Sequence, residues 1–174
     1  MEVKNKKIFY KPIKMISQNN VIIMWDYKSI VKTNDKGDYI ESPLGVWQEH
    51  KFNHIPSLNE IKEVIFEYYN NITENEIVTG FYWNDIPVWL SMENQFNYKS
   101  VYDLTIQTNG KNLPIKFKFG DNNNVIYYTF ENIEDFTDFY FNMINHIKKC
   151  IEKGWEKKDS INWDFYDLNH IYIK

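Results

Sequence analysis

One stretch of this chain leaves little choice of structure. Ile133, Phe136, Tyr140, Met143, Ile144, Ile147 and Ile151 recur mostly three or four residues apart. That spacing lines one face of an α-helix and no face of a strand. Asn132 precedes the stripe as a helix cap, and Glu134 and Asp135 sit in the first turn, where a carboxylate suits the positive dipole end. Lys148, Lys149 and Lys153 gather near the far end, and Gly154 reads as the stop. A helix this long with one apolar face must lie on a core, so the rest of the chain has to supply the other layer.

Strand patterns supply it. Ile115, Phe117 and Phe119 alternate with Lys116 and Lys118 over 113–119, Gly120 to Asn124 reads as a turn, and 125–130 returns as a partner strand. Earlier, 77–83 and 86–91 read as two short strands joined by Asn84-Asp85, a pair suited to positive φ. Ser91 caps a helix running to about Thr108, with Glu93 in its first turn and Asn109-Gly110 after its end. Pro56-Ser57-Leu58-Asn59-Glu60 is a capping box, and the apolar set that follows predicts a helix to about Asn71.

The N-terminal region is less regular. Residues 1–19 fit an extended arm or an edge strand. Val21, Ile23, Trp25 and Tyr27 then share one strand face. Asn34 to Asp38 reads as a turn, and a return strand is expected near 39–40 and again over 46–50, interrupted by Pro43 and Gly45. The fold class expected is α+β: an N-terminal β-hairpin region and a helix, then a β-hairpin–helix–β-hairpin–helix unit. The expected partition is 1–54 as a hairpin region able to serve as a docking arm, 55–160 as the core domain, and 161–174 as an aromatic tail that docks on its own domain or on a partner.

Composition narrows the function classes. The chain contains no alanine and no arginine, and its formal net charge is −4. An acidic chain without Arg is a poor nucleic-acid binder, so no such partner is expected. Seven lysines against Glu2 and Asp26 make residues 1–32 locally basic. No stretch approaches the length of a membrane span, and the first residues are polar and unlike a signal peptide, so synthesis in a cytoplasm and no membrane partner are expected. Small core positions must be filled without Ala, and 18% of the residues are aromatic.

Catalytic and metal chemistry find little support. His50 and His54 precede the capped helix and lack a third ligand at motif spacing. Glu49-His50 has the wrong order for a zinc-protease motif. Cys150 is the only cysteine, so neither an intrachain disulfide nor a Cys-based zinc site is possible, and it lies inside the predicted helix, on its lysine-rich portion, where a bystander thiol is the plain reading. Asp121 to Asn124 lacks the Gly and terminal Glu of a calcium loop. No phosphate-binding glycine loop or nucleophile elbow occurs. No catalytic residue, metal site or cofactor is assigned, and the chain is read as a non-enzyme.

The unusual segment is Trp89 to Tyr98, where amides alternate with large apolar side chains at a strand-to-helix junction. Its plain reading is a capped helix start; its functional reading is a recognition surface, with Trp83, Trp89, Asn94, Gln95 and Phe96 as partner-binding candidates.

The same segment carries a resemblance. Gly80-Phe81-x-Trp83, Pro87-Val88-Trp89-Leu90-Ser91-x-Glu93-Asn94-Gln95-Phe96-Asn97-Tyr98, Tyr102-Asp103-Leu104 and Gln107-Thr108 resemble a domain of unknown function encoded by tailed phages and prophages of gut Bacteroidetes, with related domains near tail-fibre genes. The resemblance continues through Leu113 to Gly120, Thr137 to Tyr140, Gly154-Trp155 and Lys158-Asp159. It covers roughly 77–160, and more loosely the helix from Pro56. Lys99 and Ser100 fall where that family is alanine-rich. The resemblance implies a virion structural protein, a small component or adaptor at head or tail fibres, with other phage structural proteins as partners in an oligomeric assembly. The alternatives are a fibre-assembly chaperone left out of the finished particle, and a small enzyme or host-takeover factor with an unrecognised site.

Overall fold

The computed structural model describes residues 2–6, 12–17, 20–33, 39–121 and 123–168. The chain is α+β. It divides into two compact units, Met1–Tyr68 with Ser160–Lys174, and Tyr69–Asp159. This division departs from the sequence partition in two places. The first helix is cut within its length rather than excluded from the N-terminal unit, and the tail is counted with that unit.

The first unit is built on an antiparallel sheet of four strands, β1 (Glu2–Lys6), β2 (Ile13–Ser17), β3 (Asn20–Thr33) and β4 (Tyr39–Phe52), in the order β1-β4-β3-β2. Both N-terminal segments are edge strands. β4 runs as one strand through Pro43 and Gly45, but its pairing to β3 is broken where the sequence suggests an interruption: Ser29 pairs with Gly45 and Val31 with Glu41, so residues 42–44 face Ile30 alone. Register also slips on β3. Trp25 pairs with Gln48 but Lys28 with Val46, so Asp26 and Tyr27 together face one residue. Asp26 takes φ 51° at this bulge. The bulge breaks the alternation expected for the strand. Val21, Ile23 and Trp25 are buried as the pattern requires, while Tyr27 leaves that face and stacks on Trp47 with centroids 6.5 Å apart. The expected turn at 34–38 lies outside the described residues.

Helix α1 (Leu58–Thr79) opens with the capping box. Glu60 N–H donates to Ser57 Oγ at 3.3 Å, and Ser57 N–H donates to Glu60 Oε2 at 2.7 Å. The Ser57 N–H, the Ser57 hydroxyl, which donates to Oε2 at 2.8 Å, and His54 hold the Glu60 carboxyl down at about 2. Ile61 and Ile65 from its early turns are fully buried. The tail docks in this same unit. Trp163 stands edge-on to Phe66 at 5.4 Å under the Lys62 ammonium, and Tyr166 OH donates to the Met24 carbonyl at 2.8 Å. Its last aromatic, Tyr172, lies outside the described residues.

The second unit takes the rest of α1, the hairpin β5 (Phe81–Trp83) and β6 (Ile86–Val88), helix α2 (Met92–Gln107), the hairpin β7 (Ile115–Gly120) and β8 (Val125–Phe130), and helix α3 (Ile133–Asp159). Helix α1 outlasts the expected end at Asn71; residues 77–79 are helical rather than extended, and Gly80 follows the last turn. Asn84 and Asp85 both have positive φ, 48° and 61°, as a tight hairpin turn needs. The pair flanking such a turn, Trp83 and Ile86, is the hydrogen-bonded one. Pro87, the next position, therefore has its missing N–H directed away from β5.

Helix α3 starts where expected, with Asp135 N–H donating to Asn132 Oδ1 at 2.7 Å, but it does not stop at Gly154. Gly154 is buried, and a Cβ there would overlap Thr73 Oγ1 of α1. This glycine permits close helix approach rather than ending a helix. The core is a lattice of rings. Phe81, Tyr98, Phe119, Phe130, Phe136 and Phe139 are buried together with Val88, Leu90, Ile115 and Met143. A chain without alanine fills its centre by edge and face contacts of aromatics, such as Phe130 to Phe136 at 4.9 Å. Among the described residues no helix is long and apolar enough to cross a membrane.

Candidate functional site

The junction between β6 and α2 separates the five candidate residues into three roles. Trp83 belongs to the core side of its hairpin. Its ring packs on Phe139 at 5.5 Å and Phe130 at 6.3 Å, with Nε1 buried and unpaired. Asn94 and Gln95 turn inward onto the chain. Asn94 Nδ2 donates to the Trp89 carbonyl at 2.8 Å and Gln95 Nε2 to the Leu90 carbonyl at 2.7 Å. With Ser91 Oγ accepting from Asn94 N–H at 3.2 Å, these bonds lock the turn into α2. The amides therefore hold the junction rather than present it.

Trp89 and Phe96 are different. Trp89 is 55% exposed and Phe96 69%, and Met92 between them is 85% exposed. Three large apolar side chains thus face solvent within eight residues, on a backbone fixed by five-residue-span hydrogen bonds. Met92 escaped the sequence reading, as did Tyr82, also exposed on β5. The i, i+4 spacing of Met92 and Phe96 was the available signal. Two open grooves adjoin the junction. One, of about 600 Å³, is lined by Tyr82, Pro87, Trp89, Lys118 and Asp121 among others. The second, of about 460 Å³, includes Ile77, Met92, Gln95, Ile151 and Trp155.

The chemically reactive side chains do not converge on these grooves. Cys150 Sγ lies 3.7 Å from His146 Nε2, but that nitrogen also faces the carbonyls of Glu76 at 3.1 Å and Ile77 at 3.3 Å. Carbonyl oxygens only accept, so they favour the tautomer with the proton on Nε2, which leaves the ring's lone pair on Nδ1, 4.0 Å from Sγ. Burial, and then the Glu76 carboxylate, push the Cys150 thiol up. His50 and His54 each stand edge-on to Phe52, at 4.7 and 5.6 Å, and His54 also meets Glu60 at 2.8 Å. Among the described residues no group of three or more His, Cys, Asp or Glu could hold a metal ion. Asp121 Oδ1 instead accepts the N–H groups of Asn123 and Asn124, both at 2.8 Å, as a turn-forming Asp does.

Comparison with family models, with curated proteins and with solved structures found no match to this chain.

Proposed function

We propose that the chain is a protein-binding component of a phage particle, a small part or adaptor at head or tail fibres, working through the β6–α2 junction. The observation that supports a binding role is the exposed set Trp89, Met92 and Phe96 on a backbone tied down by Asn94 and Gln95. Large apolar side chains on a fixed backbone dock without ordering the chain behind them and bury much area, which is how interface anchors work. The particle setting comes from the resemblance of residues 77–160 to a phage-encoded domain.

Mass spectrometry of purified particles tests this reading. The protein is expected in them at fixed copy number, and Trp89→Ala is expected to remove it while leaving the isolated protein folded. Absence of the unmodified protein from particles overturns the reading and leaves the assembly chaperone.

A further inference from the structure

We propose that the outward face of α2 binds a second copy of this chain, helix against antiparallel helix. The inference rests on reading that face as a binding surface, and it names the partner. At about 100° per residue, Met92, Phe96, Lys99, Asp103 and Ile106 fall within about 80° of one another around the helix. Four are exposed and Asp103 is half-buried: Met92, Phe96 and Ile106 are 85, 69 and 48% accessible, and the side chains of Lys99 and Asp103 are 59 and 46% accessible. Three large apolar side chains on the outward side of a 16-residue helix are more than covering a core requires.

The order of residues on the stripe fits its own reverse. Phe96 and Ile106 lie five positions either side of Val101, and Lys99 and Asp103 lie two positions either side. Two α2 helices packed antiparallel, centred at the level of Val101, would set Phe96 against Ile106 of the second copy and Lys99 against its Asp103. The two-fold axis repeats both contacts, as an isologous interface requires. Lys99 and Asp103 already pair within one helix, at 2.7 Å, so the axis brings together two such pairs in a ring of alternating charge flanked by apolar side chains. The parallel arrangement would set lysine beside lysine and aspartate beside aspartate. Charge complementarity therefore selects the occupant and its direction. The helix has 16 residues and is about 24 Å long, so the contact is at the small end of interfaces and the dimer is expected to dissociate on dilution.

Sedimentation velocity of the full chain over a wide concentration range tests this. The unmodified protein is expected to pass from monomer to dimer. Phe96→Ser and Asp103→Lys are each expected to weaken the dimer about tenfold or more, one by losing the apolar contact and the other by opposing like charges. The double variant Lys99→Asp/Asp103→Lys restores alternating charge and is expected to recover dimerisation. Circular dichroism checks that each variant is folded. A monomer at every concentration overturns the proposal, as does a dimer indifferent to Phe96→Ser and Asp103→Lys, or a double variant no better than Asp103→Lys. Self-association is read on the isolated protein and particle incorporation on phage, so the two readings fail separately. A monomer that enters particles overturns only this one, and a dimer absent from particles overturns only the fibre assignment.

Discussion

Helices α2 and α3 belong to one unit and touch through stacked Tyr102 and Tyr140, 4.1 Å apart, yet they distribute their side chains in opposite ways. Helix α3 buries Phe136, Phe139, Met143, Cys150 and Gly154 along one line. Helix α2 buries only Tyr98 and Thr105, and Thr105 is polar, donating to the Val101 carbonyl and accepting from Asn112. The apolar side chains of α2 are instead largely outside: Met92, Phe96, Leu104 and Ile106 are all exposed on a 16-residue helix. Helix α3 also shows apolar groups to solvent, but they are spread over 27 residues. The difference separates a helix that makes the fold from a helix that the fold displays. It follows that damage to α3 should register in stability and damage to the outer face of α2 in association.

The largest effect expected is from Phe139→Ala, which empties the centre of the ring lattice. A fully buried phenyl of this kind costs about 3–5 kcal/mol on truncation, read by urea denaturation. A loss below about 1 kcal/mol would show that α3 is not the organising helix. Gly154→Ala should cost about 1–3 kcal/mol despite the better helix propensity of alanine, because the new methyl meets Thr73 Oγ1. Adding Thr73→Ala should recover most of that loss. If it does not, the α1–α3 crossing is not set by this pair. Ser91→Ala removes the cap of α2 and should cost about 1 kcal/mol.

A subtler effect concerns the inward side of α2. Burial pushes the Tyr98 hydroxyl up to about 12 from an ordinary value near 10. The folded state therefore holds this proton more tightly than the unfolded chain does. Its contribution is fully present below pH 10 and is lost as the pH rises through about 12. Denaturation midpoints should fall over that window, and less steeply in Tyr98→Phe. Equal slopes would place Tyr98 outside the core. The smallest effect belongs to Phe96→Ser, which should change stability by no more than about 0.5 kcal/mol. A larger loss would mean that the outward face of α2 is covered within the chain itself, and the contrast between the helices would fail.

The readable parts of the sequence are those with a local cause. Ser57 and Glu60, Ser91, Asn132 and the Asn84-Asp85 turn each act through bonds or dihedrals spanning a few residues, and each appears where expected. The misread positions are governed by distant partners. Gly154 was a stop by local rule, but the neighbour that fixes its role is Thr73, far away in sequence. Tyr27 follows the strand pattern of Val21, Ile23 and Trp25 until a bulge at Asp26 turns it away, and nothing in the alternation marks the bulge. The candidate site was legible as a segment but not by residue. Amides and rings together suggested recognition, whereas hydrogen bonding assigns Asn94 and Gln95 to the backbone and leaves Trp89 and Phe96 outward. Exposure depends on what the other face of a helix covers, which composition does not encode.

Pro87 has a consequence beside this displayed surface. An apolar patch next to an open strand edge is a hazard, because a passing chain can first adhere through side chains and then zip on by backbone hydrogen bonds. At the β6 edge the outward-facing donor of the middle residue does not exist. A strand arriving there finds a gap in the ladder and gains little by extending it. The surface around Trp89 is therefore a poorer template for strand addition than an unbroken edge would be, with the Pro87 carbonyl facing outward and no donor beside it.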